Sequence, residues 1–122
     1  MNRVFQTAFH IPGTLSADVA IKWTAPFDCQ LVHVSAVGSN ANDATLEVGD
    51  STDANGFITA FAIGDSGTPV EKEAITDFDG ALADSQYPHI DDGDIIALAL
   101  DHDGDSGTAA ADVTIVLTFT EG

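Results

Sequence analysis

A chain of 122 residues is a single domain, and three basic residues against twenty acidic ones leave a net charge of −17. That charge repels phosphate backbones and anionic lipid, which excludes nucleic acid and membrane surfaces as partners. Hydrophobic residues at 44%, with seven Phe, supply a core and exclude disorder, while the length excludes the paired barrels of a trypsin-like protease.

The elements follow one another with a two-residue period. From Val4 to Ile11, Phe5, Phe9 and Ile11 face one way and Gln6 and His10 the other; Val19, Ile21 and Trp23 then alternate with Asp18, Ala20 and Lys22. Cys29 to Val37 sets Val32, Val34 and Ala36 against Leu31, His33 and Val37, and two apolar faces predict a central strand. Ala44, Leu46 and Val48 alternate with Thr45 and Glu47, and after a turn over 50–56 the stretch FITAFAI puts Phe57, Phe61 and Ile63 on one face. The charged run Val70 to Ile75 fits an edge strand. Residues 77–92 are rich in turn formers. Ile96, Leu98 and Leu100 then make one apolar face, and Val113, Ile115, Leu117 and Phe119 another.

No segment holds a helical period. The sequence therefore predicts one all-β domain over 1–122, an antiparallel β-sandwich of jelly-roll type with about eight strands and little or no helix. Sixteen of the twenty acids are Asp, a residue of turns and caps, so the charge is expected in the connections. So many Asp beside so few Lys also resembles proteins of high-salt surroundings, where screening removes self-repulsion. Cys29 has no partner for an internal disulfide, no run is apolar enough to span a bilayer, and no charged-then-apolar leader opens the chain. A protein made in the cytoplasm is the expectation.

Candidate chemistry begins with GDSGTP, Gly64 to Pro69, which looks like the loop around a protease's nucleophilic serine. GDSG recurs at Gly104 to Gly107, and GDST stands at Gly49 to Thr52. Threefold use argues for turn geometry, so no catalytic residue is assigned and no enzyme is expected. In DHDGDSG, Asp101 to Gly107, alternate carboxylates invite a calcium reading, with Asp112 in place of a closing glutamate. The competing reading, a solvated hairpin loop, is preferred, and neither a metal nor another cofactor is assigned. A cupin-type metal centre needs a His-x-His pair, whereas His10, His33, His89 and His102 are solitary in the chain. Cys29 follows Asp28, which raises a thiol pKa and marks a small buried residue. Trp23 fits an interface anchor and a cap on the core equally well.

Two stretches carry a family likeness: AIKWTAPFDCQLVHVSAVGSNANDATLEVG, with its W-x-A-P-x-D pattern ahead of a long strand, and PHIDDGDIIALALDHDG, with GD opening the next-to-last strand. Together they resemble jelly-roll decoration (cement) proteins on the capsids of tailed phages and related viruses. The resemblance implies a virion structural protein without an active site. Such a protein binds the major capsid protein on the outside of an icosahedral shell, as a homo-oligomer and often a trimer, after synthesis in the host cytoplasm. It also implies an interface, for which Arg3, Phe5 and Trp23 are the candidates, with residues 1–6 as a mobile N-terminal arm. A tail or head-fibre module, a calcium-dependent carbohydrate-binding module and a cupin-like metalloenzyme are the rival readings.

Overall fold

The computed structural model describes residues 3–122. Its strands are β1 (Val4–Thr14), β2 (Val19–Thr24), β3 (Cys29–Val37), β4 (Thr45–Asp50), β5 (Ile58–Ala62), β6 (Val70–Lys72), β7 (His89–Ile90), β8 (Ile95–Asp101) and β9 (Ala111–Glu121). One sheet runs β1-β9-β3-β6, with β7 also paired to β3; the other runs β2-β8-β4-β5. All named pairs are antiparallel. With the two-residue β7 set aside, this order is the jelly roll: consecutive strands β1 and β2, then β3 and β4, then β5 and β6, alternate between the two sheets.

The alternation read from the sequence fills the space between them. Val113, Ile115, Leu117 and Phe119 of β9 are fully buried, and they face Ile96, Leu98 and Leu100 of β8. The inner residues of β1 and β2, Phe5, Phe9, Ile11, Val19, Ile21 and Trp23, are half-buried because both strands are sheet edges.

Three expectations are corrected by tertiary detail. First, β3 does not alternate regularly: Leu31 pairs with Phe119 and His33 with Thr118, so a bulge at Val32 brings Leu31, Val34 and Ala36 to the core side. A bulge shifts every later side chain by one face, which the bare pattern could not register. Second, β6 stops at Lys72 and not at Ile75, because the N–H groups of Glu73 and Ala74 donate to the Asp77 carboxylate and start a single 3-10 turn, Ile75–Asp77. Third, β7 lies inside the turn-rich stretch, pairs with Cys29 and Gln30, and brings the strands among the described residues to nine. Within the stretch considered for an N-terminal arm, Val4, Phe5 and Gln6 pair with Thr120, Phe119 and Thr118 as the start of β1, while residues 1 and 2 lie outside the described residues.

The two stretches that carry the family likeness meet in space. Ala25 donates its N–H to the Asp94 carbonyl and accepts from Gly93, and the Asp28 carboxylate accepts from the Asp92 N–H at 2.9 Å. Gly93 takes φ +88°, a region glycine enters freely. The W-x-A-P-x-D pattern is thus the half of a strand crossing that the DDGD turn completes.

Candidate functional site

Each GDS repeat closes a turn. In the first, Thr68 donates to the Asp65 carbonyl at 2.9 Å across Ser66 (φ 52°) and Gly67 (φ 81°), the two positive values of a type I′ turn. Asp50 accepts from the N–H groups of Thr52 and Asp53 and from the Thr52 hydroxyl. Asp103 accepts the Ser106 hydroxyl at 2.7 Å. All four histidines are engaged away from Ser66: His10 with Thr114, His33 with Glu71, His89 with Asp91 and His102 with Asp18.

The loop considered for calcium does not gather its carboxylates into one set. Asp101 accepts from the Asp103 N–H, Asp103 from Ser106, and Asp112 turns away to accept from the Gly13 N–H at 2.7 Å and the Ser39 hydroxyl at 3.2 Å. What the loop does build is a half-buried histidine–carboxylate pair, with the imidazole inside and the Asp18 carboxylate at the surface. His102, only 4% exposed, donates from its backbone and places Nδ1 2.7 Å from Oδ1 of Asp18, tying the end of β8 to the β1–β2 connection.

The hydrogen bond to the Asp18 carboxylate holds the His102 pKa above its ordinary 6.5, against the opposing effect of burial. The same bond, with a backbone bond from His102, holds Asp18 below its ordinary 3.8. A raised histidine pKa contributes stability that is complete below about 6.5 and is lost as pH rises through the folded value; the depressed carboxylate contributes above about 3.8 and loses its share as acid protonates it. Asp18→Asn keeps the shape and loses the charge. Its melting temperature should fall furthest below wild type near pH 5 to 6 and approach it towards pH 8, and a gap that is flat with pH would refute the coupling.

The three interface candidates come together at one end of the sandwich. Phe5 and Trp23 meet with ring centroids 6.2 Å apart, Phe119 stacks on both at 4.9 Å, and the 37% exposed Phe27 closes on Phe5 at 5.0 Å. Trp23 therefore covers the core and leaves one side open. Arg3, Val4, Phe5, Phe27 and Glu121 line a shallow cleft beside it. Arg3 is already paired, 2.9 Å from Glu121, and its carbonyl accepts the Glu121 N–H. Exposed pairs of this kind contribute little to stability, about 0 to 1 kcal/mol.

This aromatic end lies on an edge of unusual composition. The first twenty-seven residues hold one carboxylate, Asp18, and two of the three cationic residues, Arg3 and Lys22. β1 is eleven residues long, an outer strand with no acidic side chain, and among the described residues its only sheet partner is β9. By contrast the opposite edge, β6, carries Glu71 and Lys72. Edge strands are normally guarded by charge against pairing with another chain, and β1 lacks that guard.

Sequence reading missed one cluster. His33 on β3 lies 3.3 Å from Glu71 and 3.8 Å from Glu73, although it is 38 residues from the first of them in the chain. The signal was present as E-K-E, two carboxylates on one side of a strand, but nothing in the sequence says which strand lies beside it. Cys29 is fully buried, and burial first, then Asp28, pushes its thiol up to about 11.

Among the described residues no helix is long and apolar enough to cross a membrane. No protein-family model matches this chain, and no curated protein does. Among solved structures, a chain of the cyanophage Pam1 capsid asymmetric unit is similar in fold, with a TM-score of 0.59 and 16% identity over 99% of this chain and 85% of that one. Across nearly its whole length, then, this chain has the fold of a chain found in a phage capsid asymmetric unit.

Proposed function

We propose that this protein is a virion structural protein, a decoration subunit that binds the outside of an icosahedral phage shell through the β1/β2 edge. The observation that carries the reading is the unguarded, carboxylate-free β1 in a chain of net charge −17. A strongly acidic protein meets a neutral or acidic shell surface without repulsion only where its own carboxylates are missing. The strands β1 and β2 themselves offer that, together with Lys22 and a half-open aromatic cluster of the kind that anchors interfaces, while Arg3 offsets the neighbouring Glu121. The fold shared with a phage capsid chain supports the same reading.

The occupant of the edge is the major capsid protein. The strongly acidic connections keep the subunit clear of the packaged genome. Self-association, with a trimer as the expected form, multiplies weak contacts over the lattice. A non-enzymatic role agrees with the engagement of every histidine away from Ser66.

The test adds this protein back to purified shells that lack it and reads occupancy by particle reconstruction. Val4 is 67% exposed and Ala8 faces outward opposite Val116, so Val4→Glu and Ala8→Glu place carboxylates on the edge without entering the core. Each is expected to weaken binding about tenfold, the effect of roughly 1.4 kcal/mol. Full occupancy by the double variant would remove the β1 edge from the interface. Density on a tail or head fibre, with bare shells, would move the protein to the rival structural role.

A further inference from the structure

We propose that His33, Glu71 and Glu73 form a binding site for a divalent transition-metal ion of the zinc class on the outer face of the five-stranded sheet. The bulge at Val32 makes the site. In a regular strand His33 would share the inward face of Leu31; the shift from the Leu31–Phe119 pair to the His33–Thr118 pair turns it outward instead. Bulges re-aim side chains in this way beside functional sites.

The two carboxylates arrive from β6 and its end. Glu71 pairs with Ser35 and faces outward, while Lys72 pairs with the buried Val34 and points the other way, 5.0 Å over the Phe61 ring. The one nearby cation is thus directed away from the carboxylates. Glu73, just beyond β6, is fixed through its backbone: its N–H donates to Asp77, and its carbonyl accepts the Tyr87 hydroxyl at 2.8 Å. Tyr87 in turn packs edge-on against the fully buried Phe78. All three donors therefore sit on supported backbone, which is what a metal site needs before the ion arrives.

Distances separate this cluster from the other histidine–carboxylate group. Ligands about 2.0 to 2.1 Å from a tetrahedral ion lie about 3.3 Å from one another. His33 Nε2 is 3.3 Å from Glu71 and 3.8 Å from Glu73, and one ligand atom from each residue lies within 4.8 Å of the others. These are long for hydrogen bonds and close to the edges of a coordination tetrahedron. Asp18 and His102, at 2.7 Å, have the spacing of a hydrogen bond, and the Nδ1 of His102 is occupied by it. One imidazole with two carboxylates suits zinc, cobalt or nickel better than calcium or magnesium, which prefer oxygen alone. Three protein ligands leave a fourth position for water.

Calorimetric titration with zinc, and visible absorption with cobalt, test the site on the full chain. Wild type should take up one ion, and cobalt should give the intense visible bands of tetrahedral coordination. His33→Ala and Glu73→Gln should each weaken binding at least tenfold, with circular dichroism unchanged because neither residue is in the core. His89→Ala, a surface histidine beside Asp91, should bind as wild type does. Absence of binding by wild type would overturn the proposal, as would affinity that survives His33→Ala or is lost only in His102→Ala.

Discussion

Phe119→Ala is expected to lower the melting temperature by roughly 10 to 20 °C, a loss of about 3 to 5 kcal/mol. Phe119 is fully buried and holds the aromatic end together, stacked on Phe5 at 15° and on Trp23 at 23°. Truncation removes the transfer free energy of the ring and leaves a cavity whose cost depends on how far the walls collapse. Here collapse is limited, because β9 is held on one side by β1 and on the other by β3. Phe27→Ala removes a ring of the same size from the exposed rim of the cluster and should cost about 1 kcal/mol or less. Thermal and urea unfolding of the two variants make the comparison. Equal losses would mean that the cluster is surface decoration and that the core ends short of β1.

Gly64→Ala is the second large effect, on the order of 3 kcal/mol or outright failure to fold. The cause is space, since its φ is not positive. A Cβ on Gly64 would overlap the Thr68 carbonyl oxygen and press on Pro69, both backbone atoms of a closed turn. Gly64 also donates to the Ala36 carbonyl and accepts from the Gly38 N–H, joining the end of β5 in one sheet to β3 in the other. Displacing it disturbs the crossing between the layers. Gly67, three residues on, has φ +81° and open space around it, so Gly67→Ala should cost only about 1 kcal/mol. If the two alanine variants unfold at the same denaturant concentration, the close approach at Gly64 is not a constraint. The pair of variants also explains GDSGTP: the first glycine lets two chains touch, the second turns the chain, and the serine between them holds a left-handed turn position.

Period-two patterning gave the strands of this protein and most of the core, because alternate residues of a strand must face opposite ways whatever lies beside them. Val113 to Phe119 and Ile96 to Leu100 are buried as their spacing predicts. The pattern failed where a partner strand altered it. The bulge that turns His33 outward depends on pairing with β9, and the end of β6 depends on the Asp77 carboxylate. The acidic connections were legible too, since Asp closes turns with its own side chain, as Asp50 and Asp103 do.

Composition and local chemistry by themselves determined an acidic all-β fold, its apolar faces and its turns, each a property of a few neighbouring residues. Only the tertiary structure decided which residues became neighbours. Histidines solitary in the chain acquired carboxylate partners, Arg3 was paired with Glu121, and β1, which holds no carboxylate, fell at the edge of its sheet. The physical reason is that strand order is set by long-range pairing of complete sheets, and that choice leaves no mark on the spacing of residues within any one strand.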